Sequence, residues 1–173
     1  MGRQALVIVD MLNDFISEQG SLCIGAAGQR IIPAIVPELE RAHQHNDPVI
    51  YLCDQHDADD REFSTWTPHC LAGTWGARVI SELAPQAGDY LVPKRRYSGF
   101  YGTDLDLRLR ELGVADLVLT GVCTNICVLY TAADARMRNY EVAVLRDGVA
   151  SFDEQAHDFA LGELAKTLGA TVK

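Results

Sequence analysis

The chain has 173 residues, of which 48% are hydrophobic and 23% are charged, a composition typical of a soluble globular protein. We predict a single domain spanning residues 1–173, because a chain of this length can bury one sizeable core. The formal net charge of -9 argues against binding to nucleic acid or to an anionic membrane surface, and no cluster of Lys and Arg offsets it.

The sequence contains no pattern of a secretion signal or a membrane helix. The apolar run after Met1 is short and ends at Asp10, and no run approaches the ~20 apolar residues of a membrane span. The five cysteines show no disulfide framework, which favours reduced thiols. We therefore expect a cytoplasmic protein, and a homo-oligomer is compatible with the sequence.

Short apolar runs alternate with helical patterns along the chain. In chain order, the patterns predict a strand at 5–10, a helix at 30–46, a strand at 48–54, a helix at 76–83, a strand at 89–94, a helix at 104–112, a strand at 115–121, a helix at 127–138, a strand at 140–147, a helix at 151–168 and a short edge strand at 170–172. Gly113 is expected to close the third helix as its C-cap. Ser151 and Glu154 match a capping box at the start of the last helix.

The alternation of strands and helices predicts the architecture. Unbroken apolar strands between helices indicate a parallel sheet covered on both faces, so we predict a three-layer, doubly wound α/β fold with a mostly parallel sheet. Ligands bind beyond the carboxyl ends of the strands in such folds. Asp10, Asp54, Lys94 and Gly121 end the first four predicted strands. We therefore expect these positions to meet in one crevice.

The segment GVCTNICVLYTA, residues 121–132, holds two cysteines four positions apart. A zinc site on Cys123 and Cys127 would need further ligands nearby, and a disulfide is disfavoured by the compartment and by the helix start. Both could be small buried hydrophobic residues. Alternatively Cys127 is a nucleophile in the first helical turn, capped by Thr124 or Asn125. The helix N-terminus favours a thiolate, and the backbone N–H groups of both cysteines can hold an oxyanion.

A thiol that attacks an amide needs a proton acceptor, and no histidine lies close to Cys127 in the sequence. Asp10 and Lys94 end neighbouring strands of the predicted sheet. The carboxylate could take the thiol proton and return it to a leaving amine, while the ammonium stabilises both anions. The alternative interpretation is a structural ion pair.

A second group of polar residues flanks the long polar loop at 55–74. Asp54, His56 and His69 form a donor set that suits zinc, iron or manganese, and Glu62 could add a fourth ligand. Asp54 and His56 lie on one face of an extended chain, because side chains there alternate. The alternative is a solvated acidic loop without a metal.

Five segments, taken together and in this order, give the chain a resemblance to a known family. The chain resembles the isochorismatase-like cysteine hydrolases, and among them the nicotinamidases, over nearly its full length. The segments are VIVDMLNDF, DQH, WTPHC, KRRYSGFYGTDLD and GVCTNICVLYTAADA.

The resemblance implies an isochorismatase-like, Rossmann-like hydrolase fold and a role for individual residues. It implies a catalytic triad of Asp10, Lys94 and Cys127 and an oxyanion hole from the backbone of Cys123 and Cys127. The implied metal ligands are Asp54, His56 and His69, with Glu62 matching a ligand found in only some members. Phe15, Trp66 and Tyr97 match residues around the substrate ring, and the peptide bond between Val122 and Cys123 is expected to be cis.

The activity implied by the resemblance is hydrolysis of nicotinamide to nicotinate and ammonia through a cysteine thioester, a step of NAD salvage. One divalent metal ion, with zinc preferred over iron or manganese, would hold the pyridine nitrogen of this small aromatic amide. The loop between Asp54 and His69 is shorter than in many nicotinamidases. Two alternatives are kept: another amidase of the family that acts on a carbamoyl or ureido substrate, and a non-enzymatic metal-binding or redox-sensing protein.

Overall fold

The computed structural model describes residues 2–173. Within these residues the strands are β1 (Arg3–Val9), β2 (Val49–Asp54), β3 (Tyr90–Lys94), β4 (Val114–Val122), β5 (Glu141–Ala150) and β6 (Thr171–Val172). The α-helices are α1 (Asn13–Ile16), α2 (Ala26–Arg30), α3 (Ile32–His45), α4 (Leu105–Glu111), α5 (Leu129–Met137) and α6 (Glu154–Lys166). A π-helical turn covers Thr124–Val128, and 3-10 turns cover Arg61–Ser64 and Ser81–Leu83.

The strands form one parallel sheet in the order β3-β2-β1-β4-β5-β6. From β1 the chain adds β2 and β3 toward one edge of the sheet, and β4, β5 and β6 are then added on the other side of β1. The direction in which strands are added therefore reverses between β1 and β4. This point is where ligands bind in doubly wound sheets. The predicted α/β fold class is confirmed, and all strand pairs in residues 2–173 are parallel.

Both faces of the sheet carry a buried core. Along β1, Ala5, Val7 and Val9 belong to one core, while Leu6 and Ile8 belong to the other. This alternation follows from the geometry of a strand, whose successive side chains point to opposite faces. Helices α4, α5 and α6 cover the first face, and α1, α2 and α3 cover the second. The result is the predicted arrangement of three layers.

The predicted helix at 76–83 is wrong, since only Ser81–Leu83 is helical, as a short 3-10 segment. The chain here runs beside the segment that follows β1. The N–H of Asn13 donates to the carbonyl of Arg78, and the N–H of Ile80 donates to the carbonyl of Met11. These backbone groups are therefore occupied by a distant part of the chain and are not free for a helical pattern.

One predicted helix end differs from the structure and another agrees with it. Asp153, and not Ser151, caps α6, because its carboxylate accepts the N–H of Ala156 at 2.7 Å. The C-terminal signal of α4 is confirmed, since Gly113 follows the helix with φ of 67° and donates its N–H to the carbonyl of Arg110. In residues 2–173, none of the helices has the length and apolar character needed to span a membrane.

Candidate active site

The ammonium of Lys94 lies at the centre of the site, at the carboxyl edge of the sheet. It is 2.8 Å from Oδ2 of Asp10, in contact with Oδ1 of Asp54, and 3.4 Å from Sγ of Cys127. All four side chains are buried. The positions that end β1, β2 and β3 thus meet at one point, as the sequence predicted, and the cysteine joins them from the turn after β4.

The charges around Lys94 set the protonation of its neighbours. Burial raises the pKa of Asp10 to about 6, helped by the charge of Asp54 and opposed by Lys94. Burial alone would also raise the pKa of Asp54, but the Lys94 charge and the nearby imidazoles of His56 and His69 outweigh it and hold that pKa well below the ordinary range. Asp10 is therefore the carboxylate that can accept a proton near neutral pH.

Burial likewise raises the pKa of the Cys127 thiol well above its ordinary value, although the Lys94 charge acts in the opposite direction. Removal of the thiol from water thus outweighs the favourable effect expected from the helix start. The sulfur of Cys127, one oxygen of Asp10 and one of Asp54 lie within 4.8 Å of one another. The thiol therefore lies beside a carboxylate whose pKa is about 6.

Cys127 is positioned by the π-helical turn directly after β4. The carbonyl of Cys123 accepts N–H groups from Ile126 and Val128 at 3.0 and 3.2 Å, which closes the turn. The bond between Val122 and Cys123 is cis, as the resemblance implied. Gly121 precedes it with φ of 102°, and a Cβ there would lie 2.0 Å from the carbonyl oxygen of Val9. The close approach of β1 and β4 therefore requires glycine.

Neither Thr124 nor Asn125 caps the turn, contrary to the prediction. Oγ1 of Thr124 lies 2.8 Å from Nδ1 of His157 in α6, and Oδ1 of Asn125 accepts the hydroxyl of Ser151. The two polar side chains instead connect the cysteine turn to the end of β5 and to α6, which fixes the turn against the neighbouring layer.

The predicted metal-binding side chains form a second group beside the first. One donor atom from each of Asp54, His56 and His69 lies within 4.8 Å of the others, and all three residues are buried. Nε2 of His56 and Nε2 of His69 are 3.7 and 3.6 Å from Oδ2 of Asp54. Asp54 thus belongs to both groups, with Oδ1 toward Lys94 and Oδ2 toward the imidazoles.

Each of the two imidazoles is oriented by a hydrogen bond at its Nδ1 atom. Nδ1 of His56 donates to Oδ2 of Asp60 at 3.0 Å, and Nδ1 of His69 donates to the carbonyl of Thr67 at 2.7 Å. In the neutral imidazoles these bonds leave both Nε2 atoms as acceptors, the form in which histidine binds a metal. Nε2 of His56 is buried without a hydrogen-bond partner. The donor set therefore fits a divalent cation such as zinc, iron or manganese.

Glu62 lies near this group but outside it. The residue lines the pocket over Cys127 described below, and one of its carboxylate oxygens is 3.8 Å from Arg96. It does not share the close grouping of Asp54, His56 and His69. A second close set of donors, Asp10, Asp54 and Cys127, already surrounds the Lys94 ammonium. The negative charge of that set is therefore balanced by the Lys94 ammonium.

A pocket opens over Cys127 between the two groups. Its lining includes Phe15, Trp66 and Tyr97, the three residues that the resemblance placed around a substrate ring. Phe152 also lines it and was missed. Its position just after the carboxyl end of β5 is the feature that marks Phe152 as a pocket residue. The predicted strand ends at 147, whereas β5 extends to Ala150.

Asp60 is the second residue that sequence reasoning missed. It accepts a hydrogen bond from His56 and further bonds from Arg95 and Arg96, so it holds the His56 imidazole against the basic segment after β3. Its position four residues after His56 was visible, but the arginines that complete the contact come from a distant part of the sequence. From the sequence alone, Asp60 is indistinguishable from the other acidic residues of this loop.

Comparison with known proteins agrees with this geometry. The isochorismatase domain model matches residues 4–173. The solved nicotinamidase/pyrazinamidase PncA from Bacillus subtilis is 37% identical, with 98% of each chain covered and a TM-score of 0.94. The N-carbamoylsarcosine amidase from Thermoplasma acidophilum is 41% identical, with 99% of this chain and 95% of that chain covered and a TM-score of 0.90.

A third solved relative concerns the metal. The pyrazinamidase of Pyrococcus horikoshii in complex with zinc is 30% identical, with 99% of this chain and 98% of that chain covered and a TM-score of 0.92. Structures with different amide substrates in their names thus share this fold over nearly the whole chain.

Proposed function

We propose that this chain, which belongs to the isochorismatase family of hydrolases, is a nicotinamidase that converts nicotinamide to nicotinate and ammonia. The observation that carries the proposal is the position of Asp54. One of its oxygens contacts the ammonium beside Asp10 and Cys127, and the other faces His56 and His69. A nucleophile and a metal-donor set therefore open on the same pocket.

The proposed reaction begins with transfer of the Cys127 thiol proton to Asp10. The sulfur then attacks the carboxamide carbon, and the backbone N–H groups of Cys123 and Cys127 hold the oxyanion. As the C–N bond breaks, Asp10 returns the proton to the leaving amine, which departs as ammonia. Asp10 next takes a proton from water, whose oxygen attacks the thioester carbon; the C–S bond breaks, nicotinate leaves, and Asp10 returns the proton to the Cys127 sulfur. Lys94 compensates the buried anions throughout.

Asp54, His56 and His69 would hold the metal ion, for which we favour zinc. The bound metal would coordinate the pyridine nitrogen of the substrate and so orient its carboxamide toward Cys127. Glu62 is retained only as a candidate for an additional ligand. Phe15, Trp66 and Tyr97 would contact the substrate ring. The product would feed NAD salvage in the cytoplasm, and the division into one domain, 1–173, is kept as part of the proposal.

A second candidate is an amidase that acts on a carbamoyl or ureido substrate. Its support is the 41% identity to an N-carbamoylsarcosine amidase. The buried Asp54, His56 and His69 set favours nicotinamide, because a ring nitrogen gives a bound metal a ligand and a ureido group has no aromatic nitrogen. A purely metal-binding or redox-sensing protein would not need the contacts of Lys94 with Asp10 and Cys127.

The test is ammonia release by the metal-loaded protein from nicotinamide, pyrazinamide, N-carbamoylsarcosine and ureidoacrylate at equal concentrations. We expect turnover of the two aromatic amides and little of the other two. Preferential turnover of a ureido or carbamoyl compound would move the assignment to the second candidate. Release from none, by a folded protein with bound metal, would favour the non-enzymatic alternative.

A further inference from the structure

Two stacked aromatic rings form part of the wall of the pocket over Cys127. Trp66 and Phe152 stack with their centroids 6.1 Å apart and an interplanar angle of 19°, and both line the pocket. The space between the residues that line this pocket has a volume of about 30 Å³. A space of this size holds one or two water molecules. A six-membered aromatic amide can enter only if part of the wall moves.

Of the two rings, Trp66 is held in place. Its indole Nε1 donates to the hydroxyl of Tyr97 at 3.1 Å, and Tyr97 stacks on Tyr130 at 5.8 Å between centroids. Phe152 has no polar atom in its side chain and is 42% exposed. Rotation of Phe152 therefore breaks no hydrogen bond, whereas rotation of Trp66 breaks one.

The backbone around Phe152 is fixed on both sides. Ser151 donates its hydroxyl to Asn125 in the cysteine turn, and the Asp153 carboxylate caps α6. The side chain can thus rotate without a movement of the loop, on the fast timescale of an exposed rotamer. Phe152 also lines a wider neighbouring cavity of about 580 Å³, together with Arg30 and Arg146. That cavity provides room for the displaced ring.

From this geometry we propose that Phe152 is a gate that determines which amides reach Cys127. Its ring rotates away from Trp66 into the neighbouring cavity to admit the substrate and then returns to cover it. The ring thereby limits the size of the amide that the closed pocket accepts. This inference rests on the proposed function for its substrate class, while the gate itself concerns only access to the sulfur.

The gate is tested first without any substrate. Iodoacetamide alkylates the purified protein, and the rates at Cys127 and at the partly exposed Cys23 are read from peptide masses. If the open rotamer is populated at about a tenth, Phe152→Ala speeds alkylation of Cys127 by about tenfold and leaves Cys23 unchanged. The matched control is Phe159→Ala, which removes a phenylalanine that is 67% exposed on α6; it should change neither rate.

Size selection is tested next with nicotinamide and the larger quinoline-3-carboxamide. Phe152→Ala should raise the kcat/KM of the larger amide relative to nicotinamide, and Phe159→Ala should not. Phe152→Leu gives the same comparison if the alanine variant does not fold.

The outcomes separate the two proposals. Equal alkylation rates in wild type and Phe152→Ala would overturn the gate, and an unchanged ratio for the two amides would overturn its role in specificity. A wild type that does not hydrolyse nicotinamide would refute the proposed function, while the alkylation rates would still decide whether Phe152 controls access.

Discussion

Replacement of Lys94 by methionine should strongly destabilise the fold. The ammonium contacts Asp10 and Asp54, and all three side chains are almost wholly buried. Methionine nearly preserves the volume but leaves two carboxylates without a cation. Removal of one partner from a buried ion pair costs about 3–5 kcal/mol. In a chain of this size that loss lowers Tm by roughly 6–20 °C.

The destabilisation by Lys94→Met should depend on pH through the pKa of Asp10. Burial already raises the pKa of Asp10 to about 6, above its ordinary value of 3.8. A carboxyl whose pKa is raised on folding binds more protons in the folded than in the unfolded state, so stability falls as pH rises through the folded pKa. Without the opposing Lys94 charge, that pKa rises further. The destabilisation by Lys94→Met should therefore be larger at about pH 8 than at about pH 5.5.

Thermal unfolding at both pH values measures the effect. Lys166→Met, in the last turn of α6 at an exposed position, is the matched control and should change Tm little. If the two variants lose the same small amount of stability, or if acid does not relieve Lys94→Met, the buried ammonium does not compensate these carboxylates as described.

Three further results are expected. Cys127→Ala should abolish ammonia release and Cys123→Ala should retain much of it, because Lys94 contacts the sulfur of Cys127; equal loss in two folded variants would contradict this. Chelation should remove activity with little change in Tm, since the donor set lies at the carboxyl edge of the sheet and both cores are built from hydrophobic side chains; a large fall in Tm would mark the site as structural. Gly121→Ala should lower stability by about 1–3 kcal/mol or more through strain at positive φ and contact with Val9. Gly162→Ala, with nothing within 4 Å in α6, should raise it slightly.

The meeting of Asp10, Asp54 and Lys94 could be predicted from the sequence because it depends on topology alone. Each residue ends an apolar strand, and parallel strands bring their carboxyl ends to one edge. No knowledge of side-chain packing was needed. The cysteine turn was found for the same reason, as it follows β4 directly.

Features that depend on contacts between distant segments could not be predicted. The segment 76–83 has a helical pattern, but its backbone bonds to the residues after β1. The protonation of Cys127 depends on burial, which the packed structure determines. Phe152 was hidden by an underestimate of the length of β5, whose last residues Val149 and Ala150 pair with β4.

The most direct test of the proposed function compares nicotinamide with benzamide, which has the same shape without the ring nitrogen. If a metal held by Asp54, His56 and His69 binds that nitrogen, kcat/KM should be about 10²-fold higher for nicotinamide, or about 3 kcal/mol in transition-state stabilisation. Water can occupy the metal position that benzamide leaves free, which keeps the difference from being larger. In His56→Ala the preference for nicotinamide should shrink, because the proposed metal site has lost one of its three ligands. Comparable kcat/KM values for the two amides in the wild type would contradict the account, and a preference near 10²-fold that depends on His56 would support it.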